Sequence, residues 1–440
     1  HKAIRRQRQM CIRDRSDGVR FECDTLDPLC WLDFWTRLGV SRGAAGRGWQ
    51  PFQMRYATAT CPLPAGLHDA MRRSPFTAVR EAAGRAGVSV LPVRSDPRPP
   101  VADPPWTCTP SPEPAGRLEA GEVGFAPDGP LAGLRVVEST RRVQGPMAGH
   151  VLRLLGAHVT RIEPPGGDPM RGIPPMAGTC SARFSALNAG KDVTQIDLAS
   201  EPGRRAAHEL VSGADVFLHN WAPGRARRWR LDADDLRATR PGLVYAWCSG
   251  WGDGFGSAPP LGTDFMVQAH GGLAAAVRPA GEPAAVSLMT LSDLLGGLVS
   301  ATGVLAALLD RVRTGRGGRV HSSLYSAATA IPRPRRTERW TPLDHPVRTA
   351  DGHLWLGRDA RARPDRLAKT LGLPSGADPT AVAAAFGTRT AEDWLSRLDE
   401  AALPATPVCT DLRRLPDDPR FAGAITRTEH AVPRPPWEFS

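Results

Sequence analysis

The sequence predicts an α/β fold, a doubly wound parallel sheet in a large domain, with a smaller α+β domain after it. The main observation is a β-α-β unit of about thirty residues. The β-branched run LRVVEST (134–140) precedes GPMAGHVLRLLGA (145–157), whose apolar residues have helical spacing, and HVTRIEPP (158–165) is a second strand. A second observation is that this alternation repeats up to residue 252.

The later elements follow the same alternation. VTQIDL (193–198) is a predicted strand, a helix covers 202–212, and ADVFLHN (214–220) is the next strand. A short helix and the strand in LVYAWCSGWG (243–252) follow, then a long apolar helix from about residue 293 and another strand. The smaller unit is predicted from DGHLWLG (351–357), helices near 361–371 and 391–401, and the strand in ATPVCT (405–410).

Proline content and composition divide the chain. Residues 1–16, HKAIRRQRQMCIRDRS, lack the apolar core of a signal peptide and are interpreted as a non-native leader. Residues 96–129 are too rich in proline for a helix or a central strand and predict a linker. The linker separates an N-terminal segment, 17–95, from the main body, 130–440, whose small-domain part is about 345–404.

Composition excludes several classes of protein. The net charge is +11 over 440 residues, but the cations are scattered arginines with only three lysines, so no nucleic-acid partner is expected. The eight cysteines form no C-x-x-C pair and no zinc spacing, which predicts no metal site and a cytoplasmic location. The longest apolar run, 296–309, is too short to span a bilayer, so no membrane association is expected.

Several segments in order resemble a known family. They are PLAGLRVVEST, GPMAG, LGAHVTRIEPPGGDPMRG, LNAGKDVTQIDL, ADVFLHNWAPGRARRWRLD, PGLVYAWCSGWG, residues 291–321, RTADGHLWLG and LPATPV. Together they resemble class III CoA-transferases, the group with formyl-CoA transferase, carnitine CoA-transferase and α-methylacyl-CoA racemase. The resemblance covers about 130–440. It implies a Rossmann-like large domain, an interlocked homodimer, and transfer of coenzyme A between carboxylic acids. The acyl-CoA thioester is then a substrate, and no cofactor is bound permanently.

Asp293 is the candidate nucleophile. Ser292 is expected to cap a helix that places Asp293 in its first turn, where the helix dipole and free N–H groups favour the carboxylate. Gly296 and Gly297 are expected to leave a low surface for a thioester. Attack by the carboxylate forms a mixed anhydride and releases CoA thiolate. Without the resemblance, Asp293 is better explained as an ordinary acidic residue of a helix start.

The resemblance also assigns residues that bind coenzyme A. Val143 and Gln144 precede the Gly145–Pro146 turn in the family's CoA-contacting loop. The pantetheine and phosphates are assigned to a second loop, and the adenine to a strand end. These residues are Asn220, Trp221 and Ala222 in the loop, Arg228 on a phosphate, and Ile196, Asp197, Leu198 and Ala199 near the adenine. From the residues alone, Arg228 is equally explained as part of a solvated helix face, and 196–199 as a plain strand end.

Asp264 lies where family transferases carry an acidic residue beside the active site, and it is grouped with the CoA-binding residues. Thr263 occupies the position of a histidine base in the racemase branch. Loss of that base removes half of a two-base proton exchange, so transfer is favoured over racemisation or epimerisation. His270, six residues on, is interpreted as a structural histidine.

One departure from the family keeps a third alternative open. The stretch between Ile331 and Arg348 is shorter than in the family and lacks a Gly-rich loop that shields the anhydride. Exposure of an anhydride to water favours hydrolysis over transfer. A degenerate copy that binds acyl-CoA without catalysis therefore remains an alternative to the transferase.

The N-terminal segment is predicted to be the C-terminal remnant of a preceding CoA-transferase-like copy. Residues 70–95 align without a gap to 385–410, with four identities and a shared apolar pattern such as Val79 with Trp394. Chance similarity between two helix–strand segments is the alternative.

Overall fold

The computed structural model describes residues 17–101, 103–115, 129–253, 255–256, 258–279, 281–333, 340–427, 430–435 and 437. The predicted leader, 1–16, lies outside these residues. Two compact units are present: the first comprises the described residues of 1–278, 283–334 and 437–440, and the second those of 279–282 and 335–436.

The first unit is built on a seven-stranded sheet, which confirms the predicted α/β class. The strand order is β3-β11-β10-β9-β4-β5-β8, and every neighbouring pair is parallel except β3 with β11. The strands are β3 (Trp106–Pro110), β4 (Arg135–Ser139), β5 (His158–Glu163), β8 (Asp192–Gln195), β9 (Val216–His219), β10 (Val244–Ser249) and β11 (Gly318–Ser323). Four further strands form two separate pairs: β1 (Phe21–Asp24) with β2 (Ser89–Pro92), and β6 (Met176–Ala177) with β7 (Cys180–Ser181).

Strand β3 lies within the stretch that the sequence predicts to be a linker. It pairs antiparallel with β11 at the edge of the sheet. An edge strand tolerates proline because one side of its backbone makes no ladder hydrogen bonds. Pro110, the last residue of β3, is compatible with that position.

Helices cover the sheet and form most of the N-terminal segment. They are α1 (Pro28–Arg37), α2 (Arg42–Thr58), α3 (Ala65–Arg73), α4 (Phe76–Ala86), α5 (Gln144–Leu154), α6 (Ala182–Asn188), α7 (Glu201–Ser212), α8 (Arg225–Trp229), α9 (Ala233–Arg237), α10 (Asp264–His270), α11 (Leu273–Ala276), α12 (Leu291–Thr314) and α13 (Leu324–Ala330). Pro169–Gly172 forms a 3₁₀ turn.

Helix α12 is the central helix of the first unit. It packs on α5 and on the sheet, with Ala301, Val304 and Leu308 in an apolar cluster together with β4 and β10. With 24 residues and a mean hydropathy of 1.6 over its most apolar window, it is long and apolar enough to cross a membrane. However, 56% of that window is buried inside the protein, as in the core helix of a globular domain.

Helices α5 and α12 approach closely because two glycines lie between them. A Cβ atom on Gly297 would lie 2.5 Å from Cβ of Met147, and one on Gly296 would lie 3.2 Å from the Gln144 side chain. Both glycines are buried. They permit helix packing, so the sequence-based expectation that they leave a low surface for a thioester is wrong.

The N-terminal segment has its own apolar cluster, which includes Trp31, Phe34, Phe52 and Met71. Its origin as a repeat stays a prediction, but the aligned segments share local structure. Helix α4 and strand β2 of the first copy correspond, at the same alignment offset, to Ala391–Glu400 and Ala405–Pro407. The aligned pair Val79 and Trp394 is buried in both copies.

The second unit is a small α+β domain. A three-stranded antiparallel sheet of β12 (Val347–Arg348), β13 (His353–Leu356) and β14 (Ala405–Pro407) packs with helices on a shared apolar cluster. The helices are α14 (Arg358–Arg361), α15 (Pro364–Thr370), α16 (Pro379–Ala385) and α17 (Ala391–Glu400), with 3₁₀ turns at Pro342–Asp344, Phe386–Thr388, Leu412–Asp417 and Pro419–Phe421. Strands β15 (Ile425–Arg427) and β16 (Ala431–Pro433) pair separately.

We expect Gly297→Ala to lower the free energy of unfolding by about 1–3 kcal/mol, because the new methyl group overpacks the α5–α12 contact. The matched control is Gly46→Ala, an exposed helical position in α2 with open space around a Cβ. There alanine should stabilise by about 0.5–1 kcal/mol. Urea unfolding measures both changes, and equal effects at the two positions would contradict the packing argument.

Candidate active site

Loops after three parallel strands lie on one edge of the sheet, because parallel strands end on the same side. Asn220, after β9, joins its loop to the loop after β4. Its side-chain oxygen accepts a hydrogen bond from the Arg141 backbone N–H (3.0 Å), and its amide donates to the Arg141 carbonyl (2.8 Å). The indole N–H of Trp221 donates to Ser139 Oγ (3.2 Å). Asn220 and Trp221 therefore hold the two loops together at the predicted CoA site.

The structure places the other predicted phosphate and adenine contacts around the same edge. Ala222 and Arg228 are exposed, and Arg228 lies on α8, which follows Gly224 in the left-handed conformation (φ 74°). After β8, the side chains of residues 196–199 alternate between the protein and solvent. Ile196 and Leu198 pack on the apolar cluster beside β9, and Asp197 and Ala199 are exposed.

Gln144 joins the β4 loop to helix α12. It is buried at the start of α5, its amide donates to the Ser249 carbonyl (3.4 Å), and its side chain lies against Gly296. Val143 is partly buried beside Tyr56 and Phe265. Of this predicted CoA-contacting pair, Gln144 thus packs about one turn from the candidate nucleophile.

Asp293 lies in the first turn of α12, as predicted, and is partly buried. The predicted cap is wrong: the N-cap residue is Thr290, it makes no side-chain cap hydrogen bond, and Ser292 Oγ is buried without a partner among the described residues. Instead, the Asp293 backbone N–H donates to Asp264 Oδ2 (2.9 Å). A carboxyl from another helix therefore supplies a hydrogen-bond acceptor for a free backbone N–H group in the first turn of α12.

Asp264 is the first residue of α10 and is buried with its carboxyl against the start of α12. The Gln268 amide donates to Asp264 Oδ1 and to the carbonyls of Ser287 and Met289 (3.1 Å each), and its oxygen accepts from the Ser287 N–H (2.8 Å). Gln268 thus holds the segment that leads into α12. Sequence reasoning missed it, although its four-residue spacing from Asp264 on one helix face was a usable signal.

Thr263 and His270, the two residues considered for racemase chemistry, make contacts with other parts of the protein. The Thr263 hydroxyl donates to Asp24 Oδ2 of the N-terminal segment (2.5 Å). His270 packs among the rings of Trp251, Phe255 and Tyr325. Burial lowers the pKa of His270.

The two aspartates differ in the pKa of their carboxyls. Burial and the nearby charge of Asp293 raise the pKa of Asp264 to about 8, although hydrogen bonds from Gln268 and from the backbone N–H groups of Asp293 and Ser292 oppose the rise. Burial also raises the pKa of Asp293, to about 6, while the Arg142 guanidinium opposes that rise. Of the two neighbouring carboxyls, Asp293 therefore ionises at the lower pH and Asp264 keeps its proton to the higher pH. The helix dipole does not dominate at Asp293, because desolvation of the carboxylate outweighs it.

Arg142 and Tyr56 also belong to the surroundings of Asp293, and sequence reasoning did not identify either of them. The Arg142 guanidinium carbon lies 4.8 Å from the centre of the Tyr56 ring, which belongs to the N-terminal segment.

No group of three or more His, Cys, Asp or Glu side chains suited to a metal ion occurs within the described ranges.

We expect the stability of the protein to fall more steeply with rising pH than the stability of Asp264→Asn. Folding raises the pKa of Asp264 to about 8, so its stabilising effect is complete below the unfolded pKa and is lost as pH rises through about 8. The slopes should differ by at most about 1.4 kcal/mol per pH unit. Urea unfolding between pH 5 and 8.5 measures this. Asp310→Asn, at the other end of α12, is the control, and identical slopes for Asp264→Asn and wild type would contradict the assignment.

CoA-transferases are among the known proteins that the chain resembles. Acetyl-CoA:oxalate CoA-transferase from Acetobacter aceti is 37% identical over 207 residues, 47% of this chain and 53% of that protein, so the chain spans about half of its length. A probable fatty acyl-CoA transferase from Mycobacterium tuberculosis is 30% identical over 348 residues, 67% of this chain and 86% of that protein. The crystal structure of a CaiB/BaiF family protein from Brucella suis has 26% identity and a TM-score of 0.62, covering 71% of this chain and 93% of that one.

A sequence model of a whole family also matches the chain. The model of CoA-transferase family III matches residues 131–437, which include the six parallel strands of the sheet, both aspartates and the second unit. The N-terminal segment lies outside the match. We conclude that the chain belongs to CoA-transferase family III.

Proposed function

We propose that this protein transfers coenzyme A from an acyl-CoA to a free carboxylic acid, with Asp293 as the nucleophile. The observation that carries the proposal is a carboxyl in the first turn of the central helix, beside the loops at the sheet edge where α/β proteins bind ligands. Burial raises the pKa of its neighbour Asp264 further than that of Asp293, so Asp293 is the carboxyl that ionises more readily.

The reaction proceeds through covalent steps on Asp293. The carboxylate attacks the thioester carbonyl, the C–S bond breaks, and an aspartyl–acyl anhydride and CoA thiolate form. The thiolate then attacks the aspartyl carbonyl of the anhydride, which releases the first acid and leaves an aspartyl–CoA thioester. The second acid attacks this thioester to form a new anhydride and free the thiolate, and thiolate attack on the acyl carbonyl yields the product and regenerates Asp293.

The names of the relatives support an acid as acceptor. Relatives include an acetyl-CoA:oxalate CoA-transferase and a succinyl-CoA:glutarate CoA-transferase from Mus musculus. Both names describe exchange between an acyl-CoA and a carboxylate. We propose the same class of donor and acceptor here. The interlocked homodimer and the cytoplasmic location stay predictions from the resemblance and the composition.

The racemase alternative has less support. The Thr263 hydroxyl, at the position of the racemase base, is hydrogen-bonded to Asp24, and His270 packs among aromatic rings. Incorporation of deuterium at the α-carbon of an acyl-CoA in D₂O would favour that alternative. Tight CoA binding without any exchange would favour the non-catalytic one.

Asp293→Asn should fold normally and lose exchange by several orders of magnitude, because the amide keeps the shape and removes the nucleophile. Asp293→Glu should also be badly impaired, since near-attack geometry is sensitive to shifts of roughly 1 Å. The measurement is transfer from acyl-CoA to a labelled acid, with Asp310→Asn in the same helix as the matched control.

Covalent trapping tests the same step independently. Hydroxylamine added to wild type and acyl-CoA should convert Asp293 to its hydroxamate, as detected by peptide mass spectrometry, and should leave Asp264 unmodified. If Asp293→Asn transferred CoA as fast as wild type, the assignment would be wrong, and Asp264 would be the next carboxyl to test.

Arg228→Ala should weaken CoA binding by about 1.5–3 kcal/mol if its guanidinium makes one charged hydrogen bond to a phosphate. Arg227→Ala is the control, because Arg227 is exposed on the same short helix. Calorimetric titration with CoA measures the change. If Arg228→Ala and wild type bound CoA with equal affinity, Arg228 would be interpreted as a solvent-exposed residue of α8 that does not bind CoA.

A further inference from the structure

Arg142 is a cation beside the candidate nucleophile whose role no motif explains. It lies in the loop between β4 and α5, two residues before the buried Gln144 that packs on α12. Its backbone is left-handed, with φ at 66°, a region that non-glycine residues seldom occupy. Such strain persists only where the surrounding structure holds it, and it is concentrated at functional sites.

The guanidinium of Arg142 is held on an aromatic ring and by no acid. Its carbon lies 4.8 Å from the centroid of the Tyr56 ring. Tyr56 is itself fixed: it is buried, and its hydroxyl donates to Met170 Sδ (2.8 Å). Over the described part of the chain, no carboxylate lies within 4.0 Å of the Arg142 nitrogens and none of its N–H groups donates a hydrogen bond. The planar fork of donors is therefore available to a ligand.

The loop that carries Arg142 reaches the start of α12, because Gln144, two residues later, lies against Gly296, about one turn from Asp293. Burial raises the pKa of both Asp293 and Tyr56, and the nearby charge of Arg142 opposes the rise at each. The charge of Asp293 in turn raises the pKa of Tyr56. Arg142 is thus the cation that acts on the nucleophile, and it lies at the reacting end of the site.

A cation at this point is needed by the chemistry of the acceptor. A free acid approaches as an anion, and Asp293 is an anion whenever it is not acylated. A guanidinium pairs with a carboxylate through two parallel hydrogen bonds, which both neutralises and orients it. We propose that Arg142, held on the ring of Tyr56, binds the carboxylate of the acid substrate. This inference rests on the proposed function, and a phosphate of CoA is the competing ligand for the same guanidinium.

Two assays on the full chain separate these ligands. Exchange of labelled free CoA into acyl-CoA, with no free acid added, reports attack by Asp293 and CoA binding alone. Transfer to a titrated acid reports the KM for the acceptor. Both are run at pH 8, so that Asp293 stays ionised when the charge of Arg142 is removed.

Arg142→Gln should raise the acceptor KM about 10- to 100-fold, the loss expected for a charge-assisted bidentate contact, and change CoA exchange less than about threefold. Arg142→Lys should give an intermediate KM, because it keeps the charge without the fork. Arg205→Gln is the matched control, since Arg205 is exposed on α7 and pairs only with Glu201 within the described chain.

An unchanged acceptor KM in Arg142→Gln would overturn the inference. So would an equal loss of CoA exchange, which would assign the guanidinium to a CoA phosphate. Failure of wild type itself to exchange labelled CoA would instead contradict the proposed function, so the two failures are distinguishable.

Two substitutions of Tyr56 test whether its ring positions the guanidinium of Arg142. Tyr56→Leu removes the ring and Tyr56→Phe keeps it, so the acceptor KM of Tyr56→Leu should exceed that of Tyr56→Phe. Thermal unfolding of both variants verifies that they fold. Equal KM values for the two folded variants would show that the ring does not hold the guanidinium.

Discussion

The arrangement of the site depends on the close packing of α5 against α12. Gly296 and Gly297 leave no space for a side chain between the helices, so Gln144 and Met147 lie directly on the first turns of α12. That contact brings the loop after β4 to the helix that carries Asp293. A larger residue at either glycine would push the two apart and separate the nucleophile from the loops at the sheet edge.

A second constraint is the carboxyl of Asp264 at the start of α12. The first N–H groups of a helix need acceptors, and a buried carboxyl needs donors. The Asp264 carboxyl accepts a hydrogen bond from a backbone N–H group at the start of α12, and the Gln268 amide donates a further hydrogen bond to it. Because both aspartates are removed from water, their pKa values rise, and their proximity separates the values. Asp293 ionises more readily than Asp264, and that order suits a nucleophile and the residue that supports it.

The N-terminal segment is joined to this site by several contacts. Asp24 accepts a hydrogen bond from Thr263, the Arg55 guanidinium lies 4.7 Å from the Phe265 ring centre, and Tyr56 lies under Arg142. Arg55 is buried and pairs with Asp24 at 3.2 Å, which keeps its charge compensated. Residues outside the family match therefore support the helix that begins with Asp264 and the loop beside Asp293.

The sequence by itself determined the α/β class, the alternation of strands and helices between residues 134 and 252, and the place of Asp293 in a first helical turn, because periodicity and turn residues are local signals. It also placed Asn220 and Gln144 at strand ends, through the resemblance. Sequence-based prediction failed where a residue's hydrogen-bonding partner lies far from it along the chain. The cap of α12 comes from Asp264, 29 residues earlier, in place of the adjacent Ser292, and the edge strand Trp106–Pro110 forms only because β11 offers it a ladder. The direction of the pKa shift of Asp293 and the position of Tyr56 depend on burial and on contacts across elements, which only the tertiary structure decides.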